Sequence, residues 1–199
     1  MINAIQTEYK GYLFRSRLEA RWAVFFDELG IEWEYEPEGL VLSDGTFYLP
    51  DFYLPEFICF FEVKRKGIKG TEEGYEAIKR ISNGQWCNEW AGIICFGDPM
   101  DDDLYIYCQD TDDGGGGSYE SEVTIGLHPL TGEPYLFSYE DQRERSFFDF
   151  LGEGMETIPM VTREHGTYDY RDFVSKKVTL ARLRARQARF EHGERGSRQ

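Results

Sequence analysis

The stretch YLPDFYLPEFICFFEVKRKG, residues 48–67, decides how the chain folds. Phe57 to Val63 is a nearly continuous apolar run, as a central strand buried on both faces requires. Strand residues two apart point the same way, so Glu62 and Lys64 share a face while Val63 enters the core. The preceding segment, Thr46–Leu54, also reads as a strand, and Pro50 marks a bulge or an edge position within it. Paired antiparallel with Phe57–Lys64, it brings Asp51 alongside Glu62. Two carboxylates at that separation repel, and the arrangement calls for a cation. Hard oxygen ligands suit Mg²⁺ or Mn²⁺ better than zinc. The backbone carbonyl of Val63 is a further candidate ligand. A divalent ion there polarises a phosphodiester and acidifies water, and the Lys64 ammonium can neutralise charge in the transition state.

Upstream, Ser16-Arg17-Leu18-Glu19 is a capping box, and Leu18, Trp22, Phe25, Phe26 and Leu29 follow at helical spacing until Gly30. Ile31, Trp33 and Tyr35 alternate with Glu32, Glu34 and Glu36, the period of a strand with one wet face. Gly39 to Leu42 can pair next, and Asp44-Gly45 signals a turn. Downstream, Glu73–Ile81 reads as a short helix and Ala91–Phe96 as a buried strand. The order is α, three or four β, α, β: an α/β fold with a central mixed sheet flanked by helices. Shorter strands are expected at Leu104–Cys108, Val123–His128 and Pro134–Phe137, with exposed flexible loops at Asp98–Asp103 and Asp110–Ser118. A helix is expected near Tyr139–Leu151, a linker over Gly152–Thr167, and a long helix from about Asp169 to Phe190. In that helix Val174, Val178, Ala181, Ala185 and Ala188 form one apolar stripe.

A helix with Glu19, a strand with Pro50-Asp51 and a strand with Glu62-Val63-Lys64 resemble the PD-(D/E)xK nuclease superfamily, whose restriction-endonuclease-like core is α-β-β-β-α-β. YKGYLFRSRLEARWAVFFDELGIEWEYEP (residues 9–37), YLPDFYLP and FFEVKRKG look like the small bacteriophage and actinobacterial members, and ARQARFEHGE (residues 185–194) fits their ending. The resemblance implies that Asp51 and Glu62 are metal ligands, that Lys64 is the catalytic lysine, and that Glu19 is an additional ligand or orients water. By weaker analogy it implies that Tyr12 and Arg15 contact the backbone phosphate. It divides the chain into a nuclease core (1–97), a β-rich extension with acidic and Gly-rich loops (98–167), and a basic C-terminal helix and tail (168–199). The expected activity is Mg²⁺-dependent cleavage of DNA, endonucleolytic and of phage or prophage type. A homodimer is an option because two cuts need two sites.

The charge of the 199 residues, taken alone, argues otherwise: 22 Lys and Arg against 37 Asp and Glu give −15. It is unevenly spread. From Arg171 to Gln199 nine basic residues face three acids, a net of +6 that leaves −21 on residues 1–170. The basic segment, with Arg182, Arg186 and Arg189, reads as a solvated helix face, a phosphate-contacting helix or an arm docked on the acidic body. The acidity keeps an alternative open: a catalytically silent nuclease-fold protein acting as a DNA mimic or as an inhibitor of a host nucleic-acid enzyme. No apolar run reaches the 18 or so residues of a membrane helix. The opening MINAIQTEYK lacks the pattern of a secretory signal, and Cys59, Cys87, Cys95 and Cys108 form no CxxC pair. A cytoplasmic protein with reduced thiols is the expectation. His128, His165 and His192 have no ligand spacing and are expected at the surface or in capping roles.

Overall fold

Ser16 opens the first helix as its sequence requires. Its Oγ accepts the Glu19 amide at 3.2 Å, and helix α1 runs over Arg17–Leu29. Gly30, at φ 80°, closes it by donating its amide to carbonyls of the last turn, a conformation that disfavours a side chain. The computed structural model describes residues 4–42, 45–83, 91–109, 118–128, 131–138 and 174–190.

Ahead of α1 stand two strands that the sequence pattern does not announce, β1 (Thr7–Tyr9) and β2 (Tyr12–Phe14). They pair as an antiparallel hairpin whose Lys10 and Gly11 both hold positive φ, at 50° and 86°. That is the backbone of a two-residue primed turn, written here in Lys-Gly rather than the commoner Asn-Gly. After α1 come β3 (Glu34–Tyr35), β4 (Leu40–Val41) and β5 (Phe47–Tyr48), then β6 (Phe52–Leu54), β7 (Cys59–Lys64), helix α2 (Glu72–Asn83) and β8 (Ala91–Phe96). β9 (Leu104–Gln109), β10 (Ser118–Leu127), β11 (Pro134–Ser138) and helix α3 (Lys176–Gln187) complete the described elements.

Among the described residues seven strands form one mixed sheet in the order β11-β10-β9-β8-β7-β6-β3. β7 and β8 are parallel, bridged by α2 as a parallel pair requires, and the other neighbours are antiparallel. Strands β9, β10 and β11 thus continue the sheet that β3, β6, β7 and β8 begin. Thr46–Leu54 is not one strand but two. Pro50 separates β5, which pairs with β4, from β6, which pairs with β7.

Helices cover both faces. Trp22 and Phe26 of α1 pack on Phe61 of β7 with ring centroids 4.8 and 5.2 Å apart, and Phe26 meets Phe52 of β6 at 5.5 Å. Val178, Ala181 and Ala185 bring α3 onto the same core. On the opposite face Ala77 and Ile81 of α2 join Tyr48, Ile68, Ile94, Phe96 and Tyr107. The alternation within β7 divides the two layers. Cys59, Phe61 and Val63 belong to the α1 side, and Glu62 turns to Tyr48 on the α2 side. Cys59 and Cys95 are buried free thiols, and burial pushes both up.

Three expectations are corrected. Within the described residues α3 begins at Lys176, capped by Ser175 whose Oγ accepts the Val178 amide, and it ends at Gln187 rather than Phe190. The Asp98–Asp103 turn is an ion-paired hub, not a free solvated loop. Buried Asp98 accepts Nε and Nη2 of Arg186 at 2.9 and 2.8 Å. Asp101 pairs with Lys66 at 2.9 Å, Asp102 with Arg182 at 2.6 Å and Asp103 with Lys69 at 2.6 Å. Carboxylates crowded into one turn are tolerable because each meets a cation from a distant segment. His128 is buried rather than superficial, and its Nδ1 accepts the Thr131 amide at 3.3 Å. The expected helix at Tyr139–Leu151, the linker and the Gly114–Gly117 run lie outside the described residues, as do His165 and His192. No described helix is long and apolar enough to cross a membrane.

Candidate active site

Asp51 stands just before β6, one step beyond the pair Phe52↔Phe61, so the register continues onto Glu62. Its Oδ2 accepts the Val63 amide at 2.7 Å and its carbonyl accepts the Glu36 amide at 2.9 Å. It is 3% exposed, and Glu62 is 5% exposed. Glu62 Oε2 accepts the Tyr48 hydroxyl at 2.6 Å, and its Oε1 pairs with the Lys64 ammonium two residues along the same face. The pairing inferred from strand periodicity is therefore present.

Glu19 is also buried, with 6% exposure, and it does more than close the cap. Its Oε1 accepts Ser16 Oγ at 2.7 Å. Its Oε2 accepts the Arg15 amide at 3.1 Å and the Tyr35 hydroxyl at 2.7 Å. The backbone amide that the Glu19 side chain accepts is thus that of Arg15 rather than that of Ser16. The Arg15 guanidinium then reaches Asp51 through Nη2 and Glu36 through Nε at 2.8 Å.

These groups feel one another. Burial and the Glu62 charge push the Asp51 carboxyl up, to about 8, with Glu19 adding to the rise and Lys64 and the Val63 amide opposing it. Burial works against the charge of Lys64, yet Glu62 and Asp51 outweigh it and hold the ammonium more firmly protonated than usual. Arg15 follows the same pattern, with Asp51 and Glu19 overcoming its burial. Burial, reinforced by Glu62, keeps the Tyr48 hydroxyl a donor, and burial with Glu19 does the same for Tyr35. Three buried carboxylates face two cationic side chains.

Among the described residues no three His, Cys, Asp or Glu side chains converge as a ready metal cage. The reason is visible in the hydrogen bonds: each carboxylate is turned to its own donors, Glu19 to the cap, Asp51 to Arg15 and Val63, Glu62 to Tyr48 and Lys64. The donor chemistry nonetheless fits a hard divalent cation, because anionic oxygens exceed the positive side chains that balance them.

Of the remaining candidate residues Arg15 belongs to the site and the others lie outside it. Tyr12 packs its ring against Trp33, Phe14 and Tyr35 and stays exposed. Arg15 is half-exposed and engaged with Asp51 and Glu36. Arg182 is buried under α3, bonded to Asp102 and Thr124, which leaves it no phosphate to meet. Arg186 is exposed but anchored on Asp98, and Arg189 is exposed at the end of α3. Of the three readings of the basic segment, docking on the acidic body describes Arg182 and Arg186. Tyr35 and Tyr48 escape sequence reasoning because a tyrosine in a strand reads as core filling, and Glu36 because it reads as part of a wet strand face. The signal was a hydroxyl three residues before Asp51 and another on the strand beside it. The chain matches no protein-family model and no curated protein sequence.

Proposed function

We propose that the chain is a metal-dependent nuclease of the PD-(D/E)xK type that hydrolyses phosphodiester bonds in DNA, with α1-β3-β6-β7-α2-β8 as its core. The observation that carries this reading is the convergence of buried Asp51 and Glu62 with Lys64 at one end of β7, beside buried Glu19. Three buried acids against two cations leave a place for one more positive charge, which a proton on Asp51 or a divalent ion can fill.

Asp51, Glu62 and Glu19, with the Val63 carbonyl, are the residues that would hold Mg²⁺ or Mn²⁺. Bound there, the cation would polarise the phosphodiester and lower the pKa of water. The chain's own groups do the rest. Tyr48 and the Val63 amide fix the orientation of Glu62 and Asp51, and the cap fixes Glu19. Hydrolysis adds a water oxygen to phosphorus and expels a sugar oxygen in line. Lys64, kept charged by its neighbours, neutralises the negative charge that gathers on the phosphoryl oxygens as this happens. Labelled duplex, single-stranded, branched and RNA substrates incubated with Mg²⁺ or Mn²⁺ test the reading. Cation-dependent cleavage of DNA supports it, and no cleavage of any substrate with either cation overturns it.

A second reading, the silent DNA mimic, has one observation in its favour. Glu32 and Glu34 stand exposed around a hollow of about 420 Å³, an acidic surface that nucleolysis does not use. A salt-sensitive complex with a basic nucleic-acid-binding protein, without cleavage, would favour it.

A further inference from the structure

Where α1 meets the end of α3, a groove of about 570 Å³ is lined by Arg17, Arg21, Arg186 and Arg189, with Phe190 at its edge. Four guanidinium groups around one hollow are unusual on a chain of net charge −15. The local acids do not cancel them. Asp98 takes Arg186 at 2.8 Å and Arg21 at 3.5 Å, and Asp101 reaches Arg186 at 3.5 Å. Arg17 and Arg189 pair with no carboxylate among the described residues. The Nε groups of Arg17 and Arg21 are shut off from solvent, so what these side chains offer the groove is their terminal guanidinium nitrogens.

The chemistry that answers this surface is a phosphate. Its oxygens accept the paired N–H groups of guanidinium, and its charge meets the local excess of cations. Phe190, set edge-on against Tyr9 with centroids 5.9 Å apart, adds a fixed aromatic ring on which a base can stack. Arg17 lies two residues before Glu19 on the same helix, so the groove and the candidate active site share the N-terminal end of α1. Resting on the nuclease reading above, we propose that this groove holds backbone phosphates of the substrate strand away from the bond that is cut. It gives an acidic protein a local grip on a polyanion, with Asp98 holding Arg186 and Arg21 in position.

The test is binding of a short fluorescein-labelled DNA strand, followed by anisotropy in EDTA over a range of salt concentrations. Arg17→Gln/Arg189→Gln removes two groove cations that hold no carboxylate, and Arg17→Lys/Arg189→Lys keeps the charge should the first variant fold poorly. Arg184→Gln, an equal loss of charge per site on an arginine paired with Glu28 outside the groove, is the control. The expected result is at least about a tenfold loss of affinity in the Gln pair, with the log–log salt slope flattened by about 1 to 2. The Lys pair is expected to fall between the Gln pair and wild type, and the control to change less than twofold. Wild-type affinity in the Gln pair, or in the Lys pair if only that one folds as wild type, overturns the proposal. So does an equal loss in the control. Displacement of the strand by inorganic phosphate at matched phosphate concentration assigns the groove to free phosphate and overturns the strand assignment. Because nothing is cut in EDTA, a chain that binds through the groove but cleaves no DNA with Mg²⁺ contradicts the nuclease reading alone.

Discussion

Arg15 lies on the Asp51 carboxylate, Nη2 against Oδ1, while the other oxygen of Asp51 receives the Val63 amide. The side chain proposed to hold a divalent cation therefore already carries an internal cation. The arginine comes from the residue just before the N-cap of α1, and its own amide is held by Glu19.

Arg15 and a divalent cation should compete for Asp51. Arg15→Ala is expected to tighten Mn²⁺ binding severalfold in isothermal titration and to lower Tm in EDTA. Adding Mn²⁺ should restore much of that loss, since the ion replaces the missing charge. Unchanged or weaker Mn²⁺ binding would show that the arginine does not contend for the site.

Tyr48→Phe removes the donor on buried Glu62 and leaves the packing of the ring in place. A hydrogen bond to a charged group is worth about 1.5–3 kcal/mol, and a loss of that size is expected in urea unfolding. An unchanged midpoint would mean that the hydroxyl contributes nothing to holding Glu62.

Two arginines on α3 should behave differently. Arg182→Ala removes the cation from Asp102, which keeps the Thr124 hydroxyl as a donor, and opens a gap under α3; it is expected to cost about 1.5–3 kcal/mol. Arg184→Ala breaks an exposed pair with Glu28 and should cost less than about 1 kcal/mol. Equal losses in denaturant unfolding would contradict the docking of α3 through its buried face.

His128 sets a pH dependence. Burial disfavours its imidazolium and lowers its pKa, against the pull of Glu133, and its Nδ1 must stay unprotonated to accept the Thr131 amide. The unfolded chain binds the proton more readily. The contribution of His128 to stability is thus fully present above the ordinary histidine value of about 6.5 and is lost as pH falls below it. The fall in Tm from pH 7.5 to 5.5 should be smaller in His128→Gln than in wild type, and parallel curves would contradict the assignment.

What the sequence made legible was local. Ser16 and Glu19 lie three residues apart, and Glu62 and Lys64 two apart, so cap geometry and strand period place them without tertiary knowledge. Asp51 beside Glu62 followed from a single antiparallel pairing. The ion pairs that fasten α3 were not legible, because Arg182 meets Asp102 across 80 residues and Arg186 meets Asp98 across 88. Aspartates in a Gly- and Pro-flanked turn look solvated until their distant partners are known. The extent of the sheet was also underread, since β10 starts at Ser118, within a segment whose composition signals a loop.

The central claim is that Asp51, Glu62 and Lys64 perform cation-dependent phosphodiester hydrolysis. The most direct measurement compares wild type, Asp51→Ala and Lys64→Ala for cleavage of labelled DNA with Mg²⁺, with circular dichroism showing that each variant folds. The account expects cleavage by wild type and its loss, by a factor of about 100 or more, in both folded variants. Equal cleavage by all three proteins would contradict it.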